Sequence, residues 1–171
     1  MAIVQIKRET TDAGRKFRAA FENMAKQETR ELVGVGWWGD QTHNLTGASL
    51  SSIAYLQEYG GMTVDEEGEK AFIPPRPFLS PTYHSKRNEW AKKMASGIRD
   101  EIKSGEGDSI KAIKKVAEDA KGDIVQKIES IHNPPLAPLT IHLRKKRGNH
   151  SKKPLIDTGQ FVKSVEARIL K

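Results

Sequence analysis

Apolar residues recur along this chain at helical and strand spacings. From about Asp12 to Gln27, Phe17, Phe21 and Met24 fall on one face at helical spacing, which predicts an amphipathic helix. Leu32 to Trp38 changes character to a strand-like Leu-Val-Gly-Val-Gly-Trp-Trp, and a polar loop runs from Gly39 to Gly47. A second short helix is expected from about Ser49 to Tyr59, carrying Ile53, Leu56 and Tyr59, with Gly60 as its left-handed cap. Residues 61–73 read as a hairpin: Met62-Thr63-Val64 and Ala71-Phe72-Ile73, joined by the acidic turn Asp65 to Glu69.

Prolines then crowd the segment Ile73-Pro74-Pro75-Arg76-Pro77-Phe78-Leu79-Ser80-Pro81. Each fixes its own φ and pushes the preceding residue into extended geometry, so residues 72–81 read as a stiff arm. Ser80-Pro81 has the chemistry of a helix start, with Ser as cap and Pro in the first turn. That helix should reach about Ser104, with Tyr83, Trp90, Met94, Ile98 and Ile102 in one stripe. After the Gly105-Glu106-Gly107 break, Asp108 caps a helix to about His132. Its stripe is Ile110, Ile113, Ala117, Ala120, Ile124, Ile128 and Ile131. The short link predicts an antiparallel helical hairpin.

Asn133-Pro134-Pro135 stops the second long helix. A short helix from Pro138 to Lys145, a basic loop over 144–153, a helical turn from Gln160 to Ser164 and a closing strand from Val165 to Leu170 complete the chain. The expected fold class is α+β: a small antiparallel β-sheet packed with a long antiparallel helical hairpin and an N-terminal helix. At 171 residues it fits one domain spanning 1–171, since domains run to about 100–200 residues.

Composition narrows the function classes. The hydrophobic fraction of 36 % is low and the charged fraction of 30 % is high, which suggests a thin molecule completed by neighbouring copies. There are no cysteines, so disulfides, zinc fingers and thiol catalysis are excluded. Met1 to Arg8 lacks the apolar core of a signal peptide, and no stretch approaches the ~18 apolar residues of a membrane span. A soluble protein made in a cytoplasm is expected, with no membrane partner. The net charge of +7 favours polyanions such as nucleic acid.

No residue set makes a credible catalytic centre. Gly34-Val-Gly-Trp-Trp-Gly39 formally matches G-x-G-x-x-G, but loop chemistry follows where a dinucleotide site needs a helix to open. Glu129 and His132 have the E-x-x-H spacing of di-iron bundles, yet the other long helix offers Glu89, Asp100 and Glu101 without a second such pair. His43, His84, His132, His142 and His150 are scattered, none at zinc spacing with another ligand. No nucleophile-elbow motif marks a serine. No catalytic, cofactor or metal residue is assigned, and the chain is read as a non-enzyme. The acid-free run from Arg144 to Lys153 holds Arg144, Lys145, Lys146, Arg147, Lys152 and Lys153 as candidates to neutralise phosphates or face packaged DNA.

Three segments in order resemble the tail-completion, or neck, proteins of tailed bacteriophages. They are Ala54-Tyr55-Leu56-Gln57-Glu58-Tyr59-Gly60, Ile73-Pro74-Pro75-Arg76-Pro77-Phe78-Leu79, and Pro154-Leu155-Ile156-Asp157-Thr158-Gly159-Gln160-Phe161. Asn133-Pro134-Pro135-Leu136 and Thr140-Ile141 resemble the family too. The resemblance implies a structural virion protein at the head–tail junction, made in the bacterial host cytoplasm. It implies a ring, usually of six copies, between a connector or adaptor and the tail tube or tail terminator. In such a ring the segment Phe72, Ile73, Pro74, Pro75, Arg76, Pro77, Phe78 and Leu79 is expected to serve as an inter-subunit arm, with Phe72 and Phe78 exposed to reach a neighbour. Its low conformational freedom keeps the ordering cost small. The alternative is a basic, non-enzymatic DNA-binding protein acting through the 144–153 loop.

Overall fold

Two long antiparallel helices form the spine: α3 over Leu79–Ser104 and α4 over Ser109–Ser130, the expected helical hairpin. The structure, a computed structural model, describes residues 11–26, 32–64, 68 and 70–170. Met1 to Arg8, Gln27 and, apart from Gly68, the expected acidic turn lie outside these residues. The remaining elements, in chain order, are α1 (Asp12–Lys26), β1 (Leu32–Gly36), α2 (Leu50–Tyr59), β2 (Gly61–Val64), β3 (Lys70–Ile73), α5 (Pro138–Lys146), α6 (Gln160–Lys163) and β4 (Glu166–Leu170). The α+β class holds, and among the described residues the antiparallel pairing is divided between two two-stranded sheets, β1–β4 and β2–β3. Because β1 and β4 are distant in sequence, their pairing closes the chain, with Val33 opposite Ile169 and Val35 opposite Ala167.

Small residues set the spacing of the helical hairpin. A Cβ on Gly97 would lie 3.0 Å from that of Ala112, and α4 buries Ala112, Val116, Ala117 and Ala120 along its first half. Polar staples fix the register: Trp90 Nε1 donates to Asp123 at 2.8 Å, and Lys93 meets Asp119 at 2.8 Å. Asp108 caps α4 as expected, accepting from the Lys111 amide at 3.1 Å. The second half of α4 enters the main core with Ile124, Ile128 and Ile131, beside Trp37, Leu50, Phe78, Leu155, Phe161 and Val165. Leu50, Phe78, Ile128 and Val165 are the largest fully buried side chains, each contributing about 1.5–3 kcal/mol by burial.

The N-terminal helix forms where its apolar stripe predicts but does not dock by that stripe. Ala20 is fully buried, Lys16 packs on Gly105, and the Asn23 amide donates to the Glu106 carbonyl at 3.0 Å. These residues lie to one side of the Phe17–Phe21–Met24 ridge, of which both phenylalanines are more than half exposed while Met24 is half-buried. Packing against α3 and contact with the 105–107 link, rather than burial of the two phenylalanines, place α1 at the far end of the spine.

Gly107 makes that contact available. Its φ is +66°, a left-handed value that costs a side-chain-bearing residue roughly 1–2 kcal/mol, and a Cβ there would overlap the Ala20 carbonyl. Gly107→Ala is therefore expected to release α1, lowering stability by at least about 1–2 kcal/mol. Amide hydrogen exchange should quicken across α1 while α3 and α4 keep their protection; unchanged exchange in α1 would refute this.

Candidate functional site

The three segments singled out by resemblance converge on one buried joint at the N-terminal end of α3. The helix begins at Leu79, with Phe78 in the cap position, so the expectation that Ser80 caps it is corrected. The cap comes from 20 residues upstream: Glu58, the penultimate residue of α2, accepts from the amides of Phe78 at 2.7 Å, Leu79 at 2.9 Å and Ser80 at 2.9 Å. The Phe78 and Leu79 amides share Oε2, while Oε1 accepts from the Ser80 amide and also from the Ser80 hydroxyl at 2.7 Å. These amides have no partner inside the helix, and an anion at a helix N-terminus also meets the favourable end of the dipole. Burial alone would raise the Glu58 carboxyl, but the Ser80 hydroxyl and the Ser80, Phe78 and Leu79 amides outweigh it and hold it below the usual range.

Gly60 lets α2 turn so that Glu58 reaches this position. Its φ is +73°, and a Cβ would press within 2.9 Å of the Ile73 carbonyl and 2.8 Å of the Pro75 ring. The proline segment thus packs directly over the end of α2. Arg76 fastens it: its backbone N–H donates to the Gln57 carbonyl at 2.6 Å. Its guanidinium donates to the Gln57 side chain at 3.1 Å and to the carbonyls of Pro134 at 2.8 Å and Pro135 at 3.0 Å. The Asn133–Pro134 bond is cis. A planar donor fork suits this set of carbonyls better than a point charge would. Burial, and then the positive charge of Arg144, lowers the Arg76 guanidinium from its ordinary value.

The expectation of an exposed Phe78 is therefore corrected. Phe78 is fully buried, edge-on to Trp37 at 5.4 Å and to Phe161 at 5.8 Å, and Arg76 is buried with it. The prolines stiffen the segment as read, but the stiffness serves an internal tie, because the core offers Phe78 an aromatic pocket and Arg76 its carbonyls. Phe72, at the start of the segment, is exposed as expected. Trp37 stacks on Phe161 at 4.3 Å and donates from Nε1 to the Phe161 carbonyl at 2.8 Å, joining the third segment to the first strand. Gln160 pins the 39–49 loop by donating to the Thr42 carbonyl at 2.7 Å and accepting from the Asn44 amide at 2.9 Å.

The basic candidates divide. Arg144, Lys145 and Lys146 belong to α5 rather than to a loop. Arg144 is buried and cannot face DNA: its guanidinium donates to the carbonyls of Lys153 at 2.8 Å, Ile156 at 3.0 Å and Pro154 at 3.2 Å, and lies 3.4 Å from Asp157. The backbone of 151–156 folds over it, which turns a cation into an internal clamp; burial lowers its pKa, the Asp157 charge opposing. Arg147 pairs with Asp157 at 3.1 Å. Lys145, Lys146, Lys152 and Lys153 are exposed.

Other candidates are placed simply. Gly34 packs against the Trp38 ring, where a Cβ would sit at 2.8 Å, and the next helix after Gly39 opens only at Leu50. Glu129 and His132 are exposed, a His132 ring nitrogen lying 2.8 Å from the Ser130 carbonyl. Among the described residues no group of three or more His, Asp and Glu is placed to hold a metal, and no helix is long and apolar enough to cross a membrane. Residue reading missed Glu58 and Arg144 as structural polar groups. Their cues, an acid before Tyr-Gly and Asp157 beyond a basic run, become meaningful only when the partners meet in space.

The surface carries an open groove of about 990 Å³ between the β2–β3 hairpin and the stretch from α5 to Phe161. Its lining is mixed: Ile53, Leu56, Ile73, Leu143 and Leu155 are apolar, while His43, Gln57, Arg144, Asp157 and three threonines are polar. No family model matches the chain, and neither the curated proteins nor the solved structures give a significant match.

The charge on Glu58 ties the joint to pH. Its folded pKa is depressed, so its stabilisation is fully present above the unfolded value near 4.3 and is lost as pH falls through the folded pKa. Glu58→Gln should cost roughly 2–4 kcal/mol at pH 7, since an amide group faces donors that a carboxylate satisfied. Urea unfolding should also show a flatter stability loss below about pH 4–5 than in the parent chain. Equal acid slopes for the two proteins would count against the cap.

Proposed function

We propose that this chain is a structural virion protein of a tailed bacteriophage, forming an oligomeric ring at the head–tail junction that joins the connector to the tail. One observation carries the proposal: the segments that resemble neck proteins meet in a single joint, through Glu58, Arg76, Phe78 and Phe161. Segments separated by up to about a hundred residues thus act as one structural unit. The polar groups of the joint are engaged in holding backbone, which suits a rigid assembly part better than a reaction centre. Large apolar side chains left at the surface, among them Phe17, Phe21, Tyr55, Tyr59 and Phe72, suit a subunit completed by its neighbours. In this role it contacts other copies of itself, six in the ring the resemblance implies, the connector or adaptor, and the tail tube or tail terminator. Phe72 is the part of the proline segment available to a neighbour.

Sedimentation and negative-stain imaging of the purified protein should show a sharp higher-order species with a central opening, growing in with concentration. A strictly monomeric protein that also fails to join connector or tail complexes would sink the proposal.

A second function rests on the exposed Lys145, Lys146, Lys152 and Lys153, grouped at the end of α5 with Asp157 as the nearby acid. Repeated around a ring, they would line packaged DNA with positive charge. Replacing these lysines with Gln should flatten the log K against log salt slope for duplex DNA by about 0.9 for each phosphate no longer neutralised. Fluorescence anisotropy at several salt concentrations measures it, and an unchanged slope would remove the cluster from any DNA role.

A further inference from the structure

We draw no further inference here: the strongest candidate, the apolar crevice between β1 and the α3–α4 hairpin lined by Val33, Val35, Tyr83, Trp90, Met94 and Ile113, carries nothing because nothing in the structure shows what covers it.

Discussion

Everything at the working end of this molecule depends on one carboxylate meeting one helix terminus. Glu58 gathers the first free amides of α3, and in doing so fixes where the long spine begins relative to α2. A buried acid without partners would be severely destabilising; here three amides and a hydroxyl compensate the loss of water. Neutral groups would satisfy fewer of those donors. The interaction is short in space but bridges about 20 residues, so the intervening hairpin and proline segment must fold back compactly.

That closure explains the use made of the prolines. Their fixed backbone delivers Arg76 and Phe78 to opposite sides of one short segment: Arg76 toward the carbonyls of Pro134 and Pro135, Phe78 into the cage of Trp37 and Phe161. Arg144 repeats the device nearby, with a guanidinium as the centre around which 151–157 wraps. Two buried arginines thus organise what a larger apolar core organises elsewhere, in keeping with the low hydrophobic fraction. The far end of the spine is built more lightly. There α1 rests on α3 and on a glycine link, and its two phenylalanines remain exposed.

Helix limits were legible because they depend on local chemistry. The break at Gly105 to Gly107, the Asp108 cap, and the stop at Asn133-Pro134 lie in the chain as backbone constraints, and the structure obeys them to within a residue or two. The closing strand was legible from alternation, and β4 follows it. Residue by residue, the candidate site was less legible. Phe78 in a proline-rich segment has the same local signature whether it reaches outward or inward, and Arg144 looks like its basic neighbours until Asp157 is brought beside it.

The sequence by itself therefore determined the elements, their order, the rigidity of the 73–81 segment and the turn at 154–159. Those features follow from φ restriction, capping and apolar period, which act within a few residues. Only the tertiary structure decided that both rigid joints close inward onto one core, that two of the cations are clamps, and that the amphipathic α1 leaves its phenylalanines exposed. These outcomes depend on which distant groups are available to satisfy a buried charge or fill an aromatic pocket. Local pattern carries no information about that, because it is set by contacts between segments distant in the chain.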